Sequence, residues 1–354
     1  MVYLVKILRM KPHLSLGVAL LLLACQPKEP STPVFKGVKI DPIAMDSLSI
    51  RAIELMEGNL VFAANHSRFG MLQTRDMTVK SNAIKGLAKP LEFRAVAHTS
   101  RDFFMLSVEN PAMLYKTGDQ GQMELVYSEE ADGVFYDALT FFDNQYGIAV
   151  GDAVGGCLSL LRTTDGGQNW TKIPCEDLPE GIADEGAYAA SNTNIKTIGS
   201  EAWVATTTGN MYYSADFGAH WTRFQTAVQN ESIEAYGVYS IDFWNAKEGI
   251  AYGGSFLSPE DQSANIALTY DGGKRWELVA QGANPGYKSC VQYVPGTKGQ
   301  GIVAIGFTGI SYSSDGGLHW KTLSEEPFYT IRFQDTHTAY AAGKGRIARL
   351  EFYE

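Results

Sequence analysis

Four aspartates recur in one setting. The strings TTDGGQNW at 163–170, SADFGAHW at 214–221, TYDGGKRW at 269–276 and SSDGGLHW at 313–320 all read Ser/Thr-x-Asp-x-Gly-x-x-Trp, so Asp165, Asp216, Asp271 and Asp315 each stand two residues after a hydroxyl. That spacing suits turn chemistry, not catalysis. The carboxylate and hydroxyl can bond neighbouring backbone groups, Gly permits a positive φ, and Trp restarts a strand. Decayed copies stand near 74–78 (Thr74-Arg-Asp76) and at 117–124 (Thr117-Gly-Asp119-Gln-Gly121, with Glu124 where Trp is expected). Side chains suited to holding a ligand lie elsewhere: the carboxylates Asp152, Asp184 and Glu185; the polar and aromatic Tyr188, Asn192, Tyr236, Tyr287 and Lys288; and the arginines Arg51, Arg68, Arg94, Arg332 and Arg346. No Gly-x-Gly-x-x-Gly follows a strand, and no Walker-type Lys, His-x-x-x-His, Gly-x-Ser-x-Gly or Cys-x-x-Cys is present. No catalytic residue, cofactor or metal is therefore expected.

The elements around these residues repeat with them. Before the box at 313, three short strand-like runs are separated by Gly: 290–294, 301–305 and 309–312; Trp320-Lys-Thr-Leu323 after it makes a fourth. A four-stranded sheet repeated every 45 residues or so is the signature of a propeller blade. First strands begin at Arg51, Arg94, Asp137, Thr193, Tyr239, Ser289 and Tyr329, which predicts an all-β fold, one propeller of seven four-stranded blades spanning 34–354. The last set runs out after three strands (328–333, 339–342, 347–352). The segment 34–40 is expected to supply the fourth and close the ring, leaving no open edge.

The repeated string resembles the Asp-box, or bacterial neuraminidase repeat. Over nearly all of the chain after the tether, the blade count, the boxes, and strings such as Gly147-Ile-Ala-Val-Gly-Asp152 and Tyr340-Ala-Ala-Gly343 resemble the photosystem II stability/assembly factor propellers and their non-photosynthetic bacterial relatives. The likeness to sialidase-type propellers is more distant. The first resemblance implies a non-catalytic scaffold that binds a partner protein. A sialidase needs an arginine trio, a Tyr nucleophile polarised by Glu, an Asp acid and an Arg-Ile-Pro segment, and that last string is missing. A sialidase-like or other glycoside hydrolase is the alternative reading, and a purely structural surface lipoprotein a third.

Blade register sorts the loops. In such a propeller, the turns between third and fourth strands share one face, while loops between blades and between second and third strands share the other. The long insertions at 151–157, 175–192, 253–265 and 280–289 all fall on this second face, in blades three to six. That face carries Asp152 through Lys288 of the candidates above. Short loops of blades one, two and seven add His66, Arg68, Glu109, Lys344 and Arg346, while Arg51, Arg94 and Arg332 on first strands are expected to line the channel. Loops on a rigid scaffold are where binding residues collect, so a protein or polysaccharide partner is expected there.

The N-terminus reads as an export signal over 1–24: Lys6, Arg9 and Lys11, an apolar run 14–23, then Ala24-Cys25. Leu22-Leu23-Ala24-Cys25 resembles the bacterial lipobox, which implies a lipid on Cys25, a flexible tether over 25–33 and membrane attachment through that anchor. Residue 26 is Gln, not the Asp of inner-membrane retention, which points to the outer membrane. Net charge is −10 with charged residues at 19%; no basic block offers a nucleic-acid surface. Cys157 and Cys175 are symmetric about the hairpin tip at Gly166, a spacing open to a disulfide in an oxidising compartment. Cys290 reads as a buried small hydrophobe, and the chain as a monomer.

Overall fold

The computed structural model describes residues 32–354, except 120 and 183. The signal segment, Cys25 and most of the tether lie outside the described residues. Among those described, the only helical element is a single 3-10 turn, Cys175–Asp177.

Seven antiparallel sheets follow one another along the chain. Their first strands are Ala52–Met56, Phe93–His98, Tyr136–Phe141, Ile195–Ile198, Tyr236–Phe243, Cys290–Tyr293 and Thr330–Phe333. These inner strands stand side by side in a ring, the seventh against the first, so the fold is a seven-bladed propeller. Middle strands are sandwiched between neighbouring blades and are buried on both sides: Phe103–Ser107 and Gly249–Ser255 are buried throughout. Such strands read as continuous apolar runs, not alternating ones. Outer strands such as Thr78–Ala83 and Thr222–Gln225 meet solvent.

Blade 7 is assembled from both ends of the chain. The segment Thr338–Tyr353 folds back on itself near Gly345, whose φ is 72°, and the Phe352 amide donates to the His337 carbonyl at 2.8 Å. Its first half pairs with the inner strand, Thr330 opposite Ala342. Its second half pairs with Gly37–Ser49, from Gly37 opposite Tyr353 to Ala44 opposite Arg346. The closing strand is thus longer than the expected 34–40, because Met45 and Leu48 continue into the apolar layer between blades 7 and 1.

The core is divided into seven apolar layers, one between each pair of adjacent blades. The repeated turns anchor them. In each, the Ser/Thr hydroxyl donates to the Asp carboxylate at 2.8–3.2 Å, and the Asp accepts the amide four residues on at 2.9–3.0 Å. The tryptophan that ends the turn then enters the layer shared with the preceding blade: Trp170 lies 6.4 Å from Phe104 of blade 2, and Trp320 5.6 Å from Tyr252 of blade 5. Trp221, Trp276 and Trp320 donate their indole N–H to a carbonyl of their own turn at 2.8–3.0 Å. Ladder register corrects one sequence expectation. Each Trp directly precedes the partner of the residue before the string's Ser/Thr; in blade 2 that residue is Lys116, which pairs with Glu124, so Met123, not Glu124, holds the tryptophan's place. In blade 1 the same place falls to Met77.

Candidate binding site at the mouth of the central channel

The loop 175–192 determines what the channel becomes. Cys175 is bonded to Cys157, with their Cα atoms 5.6 Å apart, which fixes the loop's start to blade 3. Further along, Glu185 is buried. Its carboxylate accepts from Thr206, Thr208 and Asn210 at 2.7–2.8 Å and from the Tyr212 hydroxyl at 2.8 Å, all of blade 4. Burial raises its pKa, yet these four donors outweigh it and hold the carboxyl below its ordinary range. Glu185 is therefore a clasp between blades and not the ligand group expected from sequence.

The loop then enters the channel. Asn192 adopts a φ of 60° and reaches across it, donating to the Val96 carbonyl of blade 2 at 2.8 Å and accepting the Leu139 amide of blade 3 at 2.9 Å. Ser191 donates to the Ser289 carbonyl of blade 6 at 2.6 Å and accepts from Thr330 of blade 7 at 3.0 Å. Thr193 bonds Ser240 of blade 5 at 2.7 Å. Residues 191–193 so plug the channel, and Asn192, read from sequence as a surface candidate, is its buried keystone.

Two chambers result, each built from one register position. Below the plug, Glu54, Thr140, Lys196, Asp242, Gln292 and Arg332, each three residues beyond the first-strand start read from the sequence, line a polar cavity of about 180 Å³. Its charges are paired: Arg332 with Glu54 at 2.8–2.9 Å, Lys196 with Asp242 at 2.6 Å. Arg332 contributes no unpaired charge to the channel.

Above the plug lies a basin of about 250 Å³ floored by Ala189, Ala190 and Ser289. Arg51, Arg94, Tyr239 and Tyr329 enter it from the starting position of their blades; Tyr188, Tyr287, Phe256 and Phe307 come from the loops. Tyr188 stacks on Tyr239 at 3.6 Å, Tyr287 meets Tyr239 edge-on at 4.8 Å, and Phe307 lies 5.3 Å from Tyr287. Burial pushes the hydroxyls of Tyr188, Tyr239 and Tyr287 up from their ordinary value, so they stay protonated donors. The Arg51 guanidinium lies 4.1 Å over the Tyr329 ring; its Nε is buried without a hydrogen-bond partner. Among the described residues no salt bridge reaches it, whereas Arg94 is held by Glu92 at 2.7 Å. Burial first, and then the like charge of Arg94, lower the Arg51 pKa.

The other candidates disperse. The Tyr236 hydroxyl pins the blade 5 insertion through Asn265 and Ala264, both at 2.9 Å. Lys288 is buried, with its ammonium on three oxygens of Thr308 and Gly309 at 2.9–3.1 Å. Arg346 pairs with Glu326 at 2.7 Å and Arg68 bonds Ser81 at 2.5 Å, both away from the basin. Asp184, with φ 60°, is exposed. The stretch 151–157 is no loop: the strand continues to Val154 and reverses at Gly155-Gly156, both with positive φ. Asp152 lies beside Asp137 of the inner strand, and its Oδ1 accepts the Ala187 amide at 3.2 Å. Burial, then the charge of Asp152, drives the Asp137 pKa far up; burial also raises Asp152. Two neighbouring carboxyls repel when both are charged, which favours the protonated form of Asp137; Asp137 is fully buried, while Asp152 is half-buried.

Sequence reading missed Tyr239 and Tyr329 as site residues, although they occupy the same starting position as Arg51 and Arg94. Phe256 and Phe307 carry no such signal, since only folding brings their loops over the channel.

Comparison with known proteins gives the fold. No family model and no curated protein matches the sequence. Among solved structures, that of YCF48 bound to D1 peptide superposes with a TM-score of 0.64 at 14% identity, covering 92% of this chain and 99% of the other. YCF48 from Cyanidioschyzon merolae gives 0.61 at 10% identity, covering 89% and 98%. The WD40 repeats of RRP9 give 0.64 at 11%, covering 89% and 97%.

Proposed function

We propose that this chain is a non-catalytic, partner-binding propeller of the bacterial cell envelope, tethered through a lipid on Cys25, and that it docks a protein segment in the basin above the plug. The observation that carries this reading is Arg51: a guanidinium with a buried Nε and, among the described residues, no carboxylate partner, set among aromatic rings. A buried charge without a counter-charge is costly. An anionic group on the partner, a side-chain or terminal carboxylate, would relieve it while the rings take the adjoining apolar part. The Cys157–Cys175 bond supports an oxidising compartment outside the cytoplasm. YCF48, one of the solved structures of similar fold, was determined with a D1 peptide bound, which supports a protein partner over a polysaccharide. The carboxyl pair Asp137–Asp152 does not favour the glycosidase reading, since Asp137 is fully buried and hydrolysis requires two carboxyls flanking a bound sugar.

The test is photo-crosslinking in native membranes from a reporter at Phe256 or Phe307. A discrete crosslinked protein is expected, reduced about tenfold by Arg51→Ala, the scale of one lost charge-assisted contact. Recovery of no partner, together with turnover of a glycan panel, would overturn the reading.

A further inference from the structure

Each blade junction has one wedge residue, placed just before the fourth strand. Trp170, Trp221, Trp276 and Trp320 fill the junctions in front of blades 3 to 6. Phe35, 1% exposed and 4.7 Å from Tyr312 of blade 6, fills the one in front of blade 7. In front of blade 1 the wedge is only Met77, but Met45 and Leu48 of the closing strand pack into the same layer. Between blades 1 and 2 the closing strand has no counterpart, and the layer is completed by Ile84, Leu87 and Leu91 of the connecting segment. The wedge is Met123, and the turn before it, 117–123, is one residue shorter than the turns that carry tryptophan.

An open groove of about 780 Å³ lies at this junction, within the size range of ligand clefts, about 300–1,000 Å³. Met56, Phe69 and Met71 of blade 1 and Phe103 and Met123 of blade 2 line it. Methionine is the side chain that best reshapes around an arriving apolar group. Lys80 and Arg101 also line it, and a cation beside an aromatic ring is attracted to the ring's electron-rich face. Gly121, in the string position whose carbonyl receives the indole N–H in blades 4 to 6, also lines it.

We infer that the junction between blades 1 and 2 is a socket for an aromatic side chain, above all an indole, presented by a protein segment from outside the chain. The incoming ring takes in trans the place that tryptophan takes in cis in blades 3 to 6. This site is on the outer side of the ring, separate from the channel mouth, and does not depend on the role proposed for Arg51.

The test uses N-acetyl-tryptophanamide and the protein carrying 13C-methyl methionine. Titration is expected to shift Met56, Met71 and Met123 while leaving Met105 and Met211 unmoved, with a Kd of about 0.1–1 mM for a ligand of this size. Met123→Trp is expected to fill the groove, raise the melting temperature and weaken the ligand at least about tenfold; Arg51→Ala is expected to leave binding unchanged. Absence of methyl shifts up to about 10 mM ligand, shifts scattered over the other methionines, or unaltered affinity in a folded Met123→Trp would overturn the inference.

Discussion

Lys288 shows how far burial governs single side chains in this molecule. It is 1% exposed, its ammonium rests on neutral oxygens, and burial lowers its pKa from 10.5 to about 8. Between those two values the unfolded chain binds the proton and the folded chain does not, so stability rises with pH across that window. The shift corresponds to about 3 kcal/mol in order of magnitude. Urea midpoints measured at pH 7 and pH 9.5 are expected to rise in the wild type and to stay level in Lys288→Met, after common drifts cancel in the difference. A wild-type midpoint that falls in parallel with the variant would contradict this account. Glu185 teaches the same lesson with the opposite sign: four donors, not exposure, determine its state.

At the scale of elements, the loop 175–192 does two jobs that its polar composition conceals. Its first half is fixed to blade 3 by the disulfide and to blade 4 by Glu185; its second half ties the blades together around the channel. Asn192→Ala leaves the Leu139 amide and the Val96 carbonyl unpaired in the interior and puts Ala in a left-handed conformation. A loss of about 3 kcal/mol in chemical denaturation is expected. Asn192→Gly, which tolerates the backbone but lacks the amide, is expected to lose about 1 kcal/mol less. Equal losses in the two variants would mean that backbone conformation contributes nothing. The inserted strand end at 151–157 and the insertion 253–265 were visible in the sequence as extra length. That the first is a lengthened hairpin follows from Gly155-Gly156, whose paired positive φ values allow a two-residue reversal.

At the scale of the whole molecule, stability depends on closing the ring. Seven apolar layers are shared between neighbours, so opening one junction exposes two blade faces and an unpaired edge. The closing strand Gly37–Ser49 and the wedge Phe35 belong to the most N-terminal described part of the chain. A chain beginning at residue 50 is expected to melt at markedly lower temperature and to self-associate on gel filtration; an undiminished melting temperature would count against ring closure as the stabilising step. Phe35→Ala alone is expected to cost about 3–4 kcal/mol, as for other buried phenylalanines.

The blade count and the closing N-terminal strand were legible in the sequence. They rest on periodic residues: Gly and Asp determine turns locally, and a Trp at constant spacing reports a junction that recurs. The inner-strand starts were legible too, as a register that runs Arg51, Arg94, Asp137, Thr193, Tyr239, Ser289, Tyr329. What that register encloses was not. Only the tertiary structure sends Asn192 across the channel, turns Glu185 and Lys288 inward, pairs Arg332 with Glu54 and leaves Arg51 without a carboxylate partner among the described residues. The physical reason is that turn chemistry acts over a few residues, whereas the state of a charge depends on which distant groups share its low-dielectric surroundings. Residues 96, 191, 192 and 289, far apart in sequence, are brought together only by the folded ring.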